Sequence, residues 1–178
     1  MNPITLHQYR SVIVPKLKKE FGYSSDFAVP RLKKIVVNTG IGRRDEKDRE
    51  AIARQLERIV GQKLVPRPAR KAIATFKTRI GLIVGFSATL RGQRMYDFLE
   101  RLIFVAIPRL RDFRGLNPKS IDSAGNLTLG FKEHNVFPEM IGEDAKPSFG
   151  FEITFVTNAR TRAEAEALFR ELGIPFQK

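Results

Sequence analysis

Leu82-Ile83-Val84-Gly85-Phe86-Ser87-Ala88-Thr89-Leu90-Arg91 alternates along its whole length. Leu82, Val84, Phe86, Ala88 and Leu90 point one way; Ile83, Gly85, Ser87, Thr89 and Arg91 point the other. A period of two predicts a β-strand. The first set requires a core. The second is small and polar, and suits either plain solvent or a flat surface on which a nucleic-acid backbone lies. A shorter strand is predicted just upstream, over Lys63 to Arg67. Pro66 and Pro68 cannot donate to a ladder, which puts this strand at a sheet edge. No helix separates the two strands, so they pair as neighbours rather than through a crossover.

The segment joining them lies in the stretch with the largest net positive charge. From Arg58 to Tyr96 there are nine Lys and Arg and no Asp or Glu. Residues 1–57 carry a net +5, residues 97–142 a net 0 and residues 143–178 a net −1. The formal +13 is therefore concentrated in the N-terminal half. A like-charged stretch repels itself, so an anionic partner is expected there. Arg67 to Ile80 is polar and basic with a single aromatic, Phe76. It is read as an extended basic hairpin loop: Arg70, Lys71, Lys77 and Arg79 offer charge to phosphates, and Phe76 offers a ring to a base or ribose. Having few apolar anchors, it is expected to be mobile in the free protein. A merely solvated basic loop is the competing reading.

The flanking chain supplies the rest of a fold. Thr5 to Phe21 has helical spacing in Leu6, Tyr9, Ile13, Leu17 and Phe21, with Gly22 as a C-terminal cap and Pro15 as a kink or break. Leu32 to Asn38 is β-branched and extended, and Thr39-Gly40-Ile41-Gly42 is a turn. Asp45 to Val60 is a helix with Ile52, Leu56 and Ile59 on one face, acids at its start and Gly61 at its end. Gln93 to Ile107 carries a broad stripe of Met95, Phe98, Leu99, Leu102, Ile103 and Ala106 before Pro108. Asp122-Ser123-Ala124-Gly125 is a turn; Leu127, Leu129 and Phe131 alternate as a strand. His134 to Ser148 lacks periodicity and reads as a loop. Phe149 to Val156 alternates again. The last helix opens with the capping box Thr161-Arg162-Ala163-Glu164 and carries Ala165, Leu168, Phe169 and Leu172 on one side. Two strand pairs without intervening helices predict an α+β fold: an antiparallel or mixed sheet with helices on one face, built as a single domain over residues 1–178 with a basic extension at 67–80.

Composition excludes several classes. With 42% hydrophobic residues and 14 Phe, the chain can bury a core and is not a disordered tail. Without Cys there is no disulfide framework, thiolate zinc site or thiol nucleophile. No signal-peptide pattern opens the sequence. The longest apolar run, Leu102 to Pro108, is far too short to span a bilayer. The reading is a soluble intracellular protein with nucleic acid as its partner class and no membrane. Gly40-Ile41-Gly42-Arg43-Arg44-Asp45 imitates a dinucleotide-binding turn, but Asp45 stands where a third small residue belongs, and its carboxylate repels a pyrophosphate. His7 and His134 lie far apart, and Glu133-His134 is a neighbouring pair with no catalytic constellation around it. No cofactor, metal ligand set or catalytic group is predicted, and no helix-turn-helix with a basic second helix is present. A general RNA-binding or RNA-remodelling factor is the alternative to a structural RNA-binding protein.

Several longer motifs sharpen the reading. They are Val29 to Gly42, Val60-Gly61-Gln62-Lys63, Phe98-Leu99-Glu100-Arg101-Leu102, Pro108 to Pro118, Val136-Phe137-Pro138-Glu139, and the ending Gly173-Ile174-Pro175-Phe176. Together they resemble the bacterial large-subunit ribosomal protein L-five family, the 5S rRNA binder of the central protuberance. The resemblance implies a non-enzymatic protein of the cytoplasmic ribosome. It implies a 5S rRNA site at Asn38, Thr39, Gln62, Lys63, Thr89 and Arg91, and a loop toward P-site tRNA with Arg70, Lys71, Thr75, Phe76, Lys77 and Arg79. It also implies docking on 23S rRNA and contact with a small-subunit head protein across the intersubunit bridge. A further family contact falls near Met140-Ile141-Gly142-Glu143-Asp144, where this chain lacks the family's tyrosine; Glu143 and Asp144 are left unassigned.

Overall fold

A computed structural model of the protein describes residues 8–42, 44–76, 78–111, 113–140 and 147–177. Among these residues, five strands and four α-helices follow in the expected order. They are α1 (Val14–Phe21), β1 (Leu32–Gly40), α2 (Glu46–Val60), β2 (Val65–Pro68), β3 (Ile83–Leu90), α3 (Gln93–Arg101), β4 (Leu127–Phe131), β5 (Phe151–Thr157) and α4 (Arg162–Glu171). The strands form one open antiparallel sheet in the order β2-β3-β1-β5-β4. The fold is α+β. As the two prolines require, β2 is the edge: it pairs antiparallel with β3 alone, from Val65 opposite Ser87 to Pro68 opposite Ile83, and is exposed throughout.

Residue contacts group into two units. One comprises Met1–Ile35, Leu90–Leu129 and Thr154–Lys178; the other comprises Val36–Thr89 and Gly130–Ile153. The strands β1, β3, β4 and β5 contribute residues to both.

In the first unit, prolines change the helical hydrogen bonding. Tyr9–Ile13 is π-helical, with Val14 N–H donating to Tyr9 O five residues back, and regular α-helix begins only at Val14 with Pro15 in its first turn. A proline has no N–H for the helical ladder, so the ladder changes its spacing ahead of it. The same happens before Pro108: α3 passes into a π segment, Leu102–Ala106, and then a 3₁₀ turn, Ile107–Arg109. The predicted stripe is buried: Phe98, Leu99, Leu102 and Ala106 are inaccessible, and Met95 and Ile103 nearly so. α1 packs on α4, with Lys16 Nζ 2.6 Å from Glu171 Oε1 at the rim. Asp122 Oδ1 accepts from the backbone N–H groups of Ala124 and Asn126, which closes the predicted turn. Two sequence motifs meet here. Leu116 N–H donates to Pro175 O at 2.8 Å and Gln177 N–H to Leu116 O at 2.9 Å, so the Pro108–Pro118 run and the C-terminal ending form one bridge. The α4 cap differs from the expected box in one bond. Thr161 Oγ1 accepts from Glu164 N–H at 3.2 Å, but Glu164 Oε2 accepts from Arg160 N–H at 2.8 Å, one residue before the cap.

In the second unit, α2 buries Ile52, Gln55, Leu56, Ile59 and Val60. Gly61 ends it in the left-handed region at φ 71°, which a side-chain-bearing residue adopts only with strain. The sheet face contributes Val37, Ile41, Phe86 and Ile153 to the core. β1 runs two residues beyond its predicted end, to Gly40, because it stays paired with β3; Ile41 N–H still donates to Val84 O at 3.0 Å. Gly85 makes this possible, since a Cβ there would lie 2.6 Å from Thr39 O. The segment read as a loop at His134–Ser148 holds two 3₁₀ turns, His134–Val136 and Pro138–Met140, before residues outside the described set. Phe137 in this segment is buried. Phe131 stacks on Phe151 at 5.1 Å, and Phe137 tilts against both at 6.1 and 5.8 Å.

Candidate nucleic-acid interface

The sequence offers two readings of the second face of β3, and neither plain solvent nor a bare flat surface describes it. Ser87 is buried, and its Oγ accepts from Arg67 Nε at 2.7 Å. The edge-strand arginine thus lies across β3. Gly85 is also buried, under the close approach to Thr39. Only Thr89 and Ile83 on this face retain partial exposure.

Gln62 is brought to Thr89 by two local constraints. The left-handed cap at Gly61 turns the chain off α2. Glu57 Oε1 then accepts from Leu64 N–H at 2.9 Å, tying the exit back to the helix. Between these fixed points Gln62 Nε2 donates to Thr89 O at 3.2 Å. The second amide N–H and the carbonyl oxygen of Gln62 are a donor and an acceptor left over for other partners. Asn38 is exposed on β1, the strand next to β3, and Lys63 is exposed beside Gln62. Arg91 is exposed just past the end of β3 and belongs to the other unit.

Thr39 departs from the expectation of an outward polar contact. It is buried, and its Oγ1 donates to Gly150 O at 2.7 Å. Alternation along β1 turns Asn38 outward and Thr39 inward.

In the 67–80 segment, Arg70, Lys71, Thr75, Phe76 and Arg79 are all exposed, Phe76 by 62%. Lys77 lies outside the described residues, as do Arg43, His7, Glu143 and Asp144. Ala69 N–H donates to Leu82 O at 2.8 Å, and Ile73 and Thr78 exchange two backbone hydrogen bonds at 3.0 and 3.1 Å. Among the described residues, Lys63, Arg70, Lys71, Arg79, Arg91 and Arg94 make no ion pair. Uncompensated cations on one stretch are an electrostatic footprint for a polyanion.

The aromatics of β3 and of the Phe149–Phe155 segment offer no stacking platform: Phe86, Phe149, Phe151 and Phe155 are all buried. His134 opens a 3₁₀ turn, fully buried and stacked on Phe149 at 4.4 Å. Burial lowers its pKa, against smaller opposing effects of the Phe149 backbone and Glu133. Its environment is that of a core side chain. Among the described residues there is no group of three or more His, Cys, Asp or Glu that could hold a metal, and no helix long and apolar enough to cross a membrane.

Two family models together match most of the chain. One, described as ribosomal protein L5, matches residues 26–79; the other, described as the C-terminus of the same ribosomal protein family, matches residues 83–176. The large ribosomal subunit protein uL5 of Mycoplasma pneumoniae is 48% identical over 180 aligned positions, covering 100% of this chain and 99% of that protein. The protein of the same name from Parasynechococcus marenigrum is 48% identical over 172 positions, 96% of each chain. That of Ureaplasma parvum is 47% identical over 172 positions, 96% of this chain and 94% of its own.

Proposed function

Because the chain belongs to the ribosomal protein L5 family, we propose that it is a structural, non-enzymatic RNA-binding protein of the large ribosomal subunit, working in the cytoplasm. It binds 5S rRNA, helps attach it to 23S rRNA in the central protuberance, and reaches P-site tRNA and a protein of the small-subunit head. The observation that carries the RNA reading is the set of seven exposed cations, Lys63, Arg67, Arg70, Lys71, Arg79, Arg91 and Arg94, that no acid pairs with among the described residues.

Each part has a chemical role. Gln62, held on the Thr89 carbonyl, and Asn38 on β1 carry both donors and acceptors, which suit ribose hydroxyls and base edges. Lys63 and Arg91 add phosphate contacts. Thr39 positions Asn38 by fixing β1 to Gly150 rather than touching RNA itself. The 67–80 loop extends the same chemistry toward tRNA: Arg70, Lys71, Lys77 and Arg79 neutralise phosphates, Phe76 stacks on a base or ribose, and Thr75 supplies a hydroxyl.

The division of labour is testable by substitution. Asn38→Ala with Gln62→Ala is expected to abolish the preference for 5S rRNA over an unrelated RNA of equal length, while the salt-dependent affinity for both remains. Retained preference in the double variant would remove these two residues from the site.

A further inference from the structure

The RNA-binding reading leaves one basic cleft unused, within the unit that holds α1 and α3. Tyr9, Arg10, Val14, Asp26, Phe27 and Arg31 line an open cleft of about 400 Å³. A recess of about 260 Å³ shares Tyr9, Arg10 and Arg31 and adds Lys33 and Tyr96. Its floor is fixed: Tyr9 Oη donates to Pro30 O at 2.9 Å, and both tyrosines are buried. Its cations are exposed, and neither Arg10 nor Arg31 pairs with an acid among the described residues. Both guanidiniums act on the same hydroxyl. Burial raises the Tyr96 pKa, and Arg10 and then Arg31 oppose it. The lining's one acid is already neutralised, with Asp26 Oδ1 2.7 Å from Lys18 Nζ.

Beside these cations stands Phe27, 88% exposed. Ser25 Oγ accepts from its N–H at 3.3 Å, and the 3₁₀ turn Asp26–Ala28 is tied by Lys18 to α1. The Phe27 ring lies open beside two guanidiniums that pair with no acid among the described residues, so ring and cations are accessible together. Arginine and a bare ring together match a phosphate followed by an unpaired base.

We propose that this cleft is a second RNA-contact site, in which Arg10 and Arg31 clamp a backbone phosphate, Lys33 extends the cationic wall, and Phe27 stacks on an unpaired base. The proposal rests on the RNA-binding reading above but uses none of its residues.

The test measures binding of the full chain, the Arg10→Gln/Arg31→Gln variant and the Phe27→Ala variant to 5S rRNA and to large-subunit rRNA across a salt series. Losing one phosphate contact is expected to flatten the slope of log affinity against log salt by about 0.7 to 0.9 for at least one of these RNAs. Phe27→Ala is expected to weaken that same RNA on the order of ten-fold without changing the slope. All three side chains are exposed, so unchanged unfolding midpoints are expected for both variants. If the parent chain binds these RNAs and both variants match it in affinity and slope, the cleft is not an RNA site, while the loop and sheet residues stand. If the parent chain binds neither RNA, the RNA-binding reading falls, and this proposal with it.

Discussion

At the scale of single residues, alternation defines the faces of the strands but not the partners that each face meets. Thr39 and Ser87 show the difference. Both look like small polar residues available to a ligand. The structure closes Thr39 on Gly150, 111 residues away, and covers Ser87 with Arg67. No local pattern announces either bond, because the acceptor or donor comes from a distant part of the chain. The role proposed for Asn38 and Gln62 rests on the family motifs; what the fold adds is the Thr89 carbonyl that accepts from Gln62. His134 looks like an isolated histidine in the sequence, and its burial supplies a measurable consequence. Its folded-state pKa is depressed by burial below the unfolded value of 6.5. Below that value the unfolded chain takes up the proton first, so stability is full above the unfolded pKa and is lost as pH falls through the folded one. His134→Phe keeps a ring against Phe149 and removes the titration. Urea midpoints measured from neutral to mildly acidic pH are expected to fall less steeply in this variant than in the parent chain. Identical pH profiles would mean that His134 contributes nothing to acid sensitivity.

At the scale of elements, helix ends and the edge strand are legible because their signals are local. Gly22 and Gly61 cap α1 and α2 where the periodic apolar positions stop, and Thr161 caps α4. The π segments before Val14 and after Arg101 are not, since the proline signal says only that the hydrogen-bond ladder must change, not how. The basic 67–80 segment exposes most of its side chains. Its apolar side chains Ile73, Phe76 and Ile80 are exposed, and its backbone is cross-linked by the Ala69–Leu82 and Ile73–Thr78 bonds. In the free protein its amides are expected to exchange with solvent much faster than those of β3, and to slow on binding RNA. Protection equal to that of β3 without RNA would show a preformed, rigid loop.

At the scale of the whole molecule, charge and family agree on the partner class by independent routes. The net +9 of residues 58–96 says polyanion and nothing finer. Relatives of nearly full matching length say large ribosomal subunit. The proposed site divides the expected behaviour into a salt-sensitive part from the cations and a selective part from Asn38 and Gln62. The Leu116–Phe176 bridge gives the most recognisable motif a structural role: the Pro108–Pro118 run and the C-terminal ending hold each other.

The most direct test of the central claim is binding of the full chain to 5S rRNA at several salt concentrations, with tRNA and an unrelated RNA of equal length as competitors. A structural 5S rRNA binder is predicted to prefer 5S rRNA and to keep that preference as salt rises and the unspecific competitors are released. Equal affinity for all three RNAs, falling together along one steep salt slope, would contradict it and leave only a basic protein that binds polyanions.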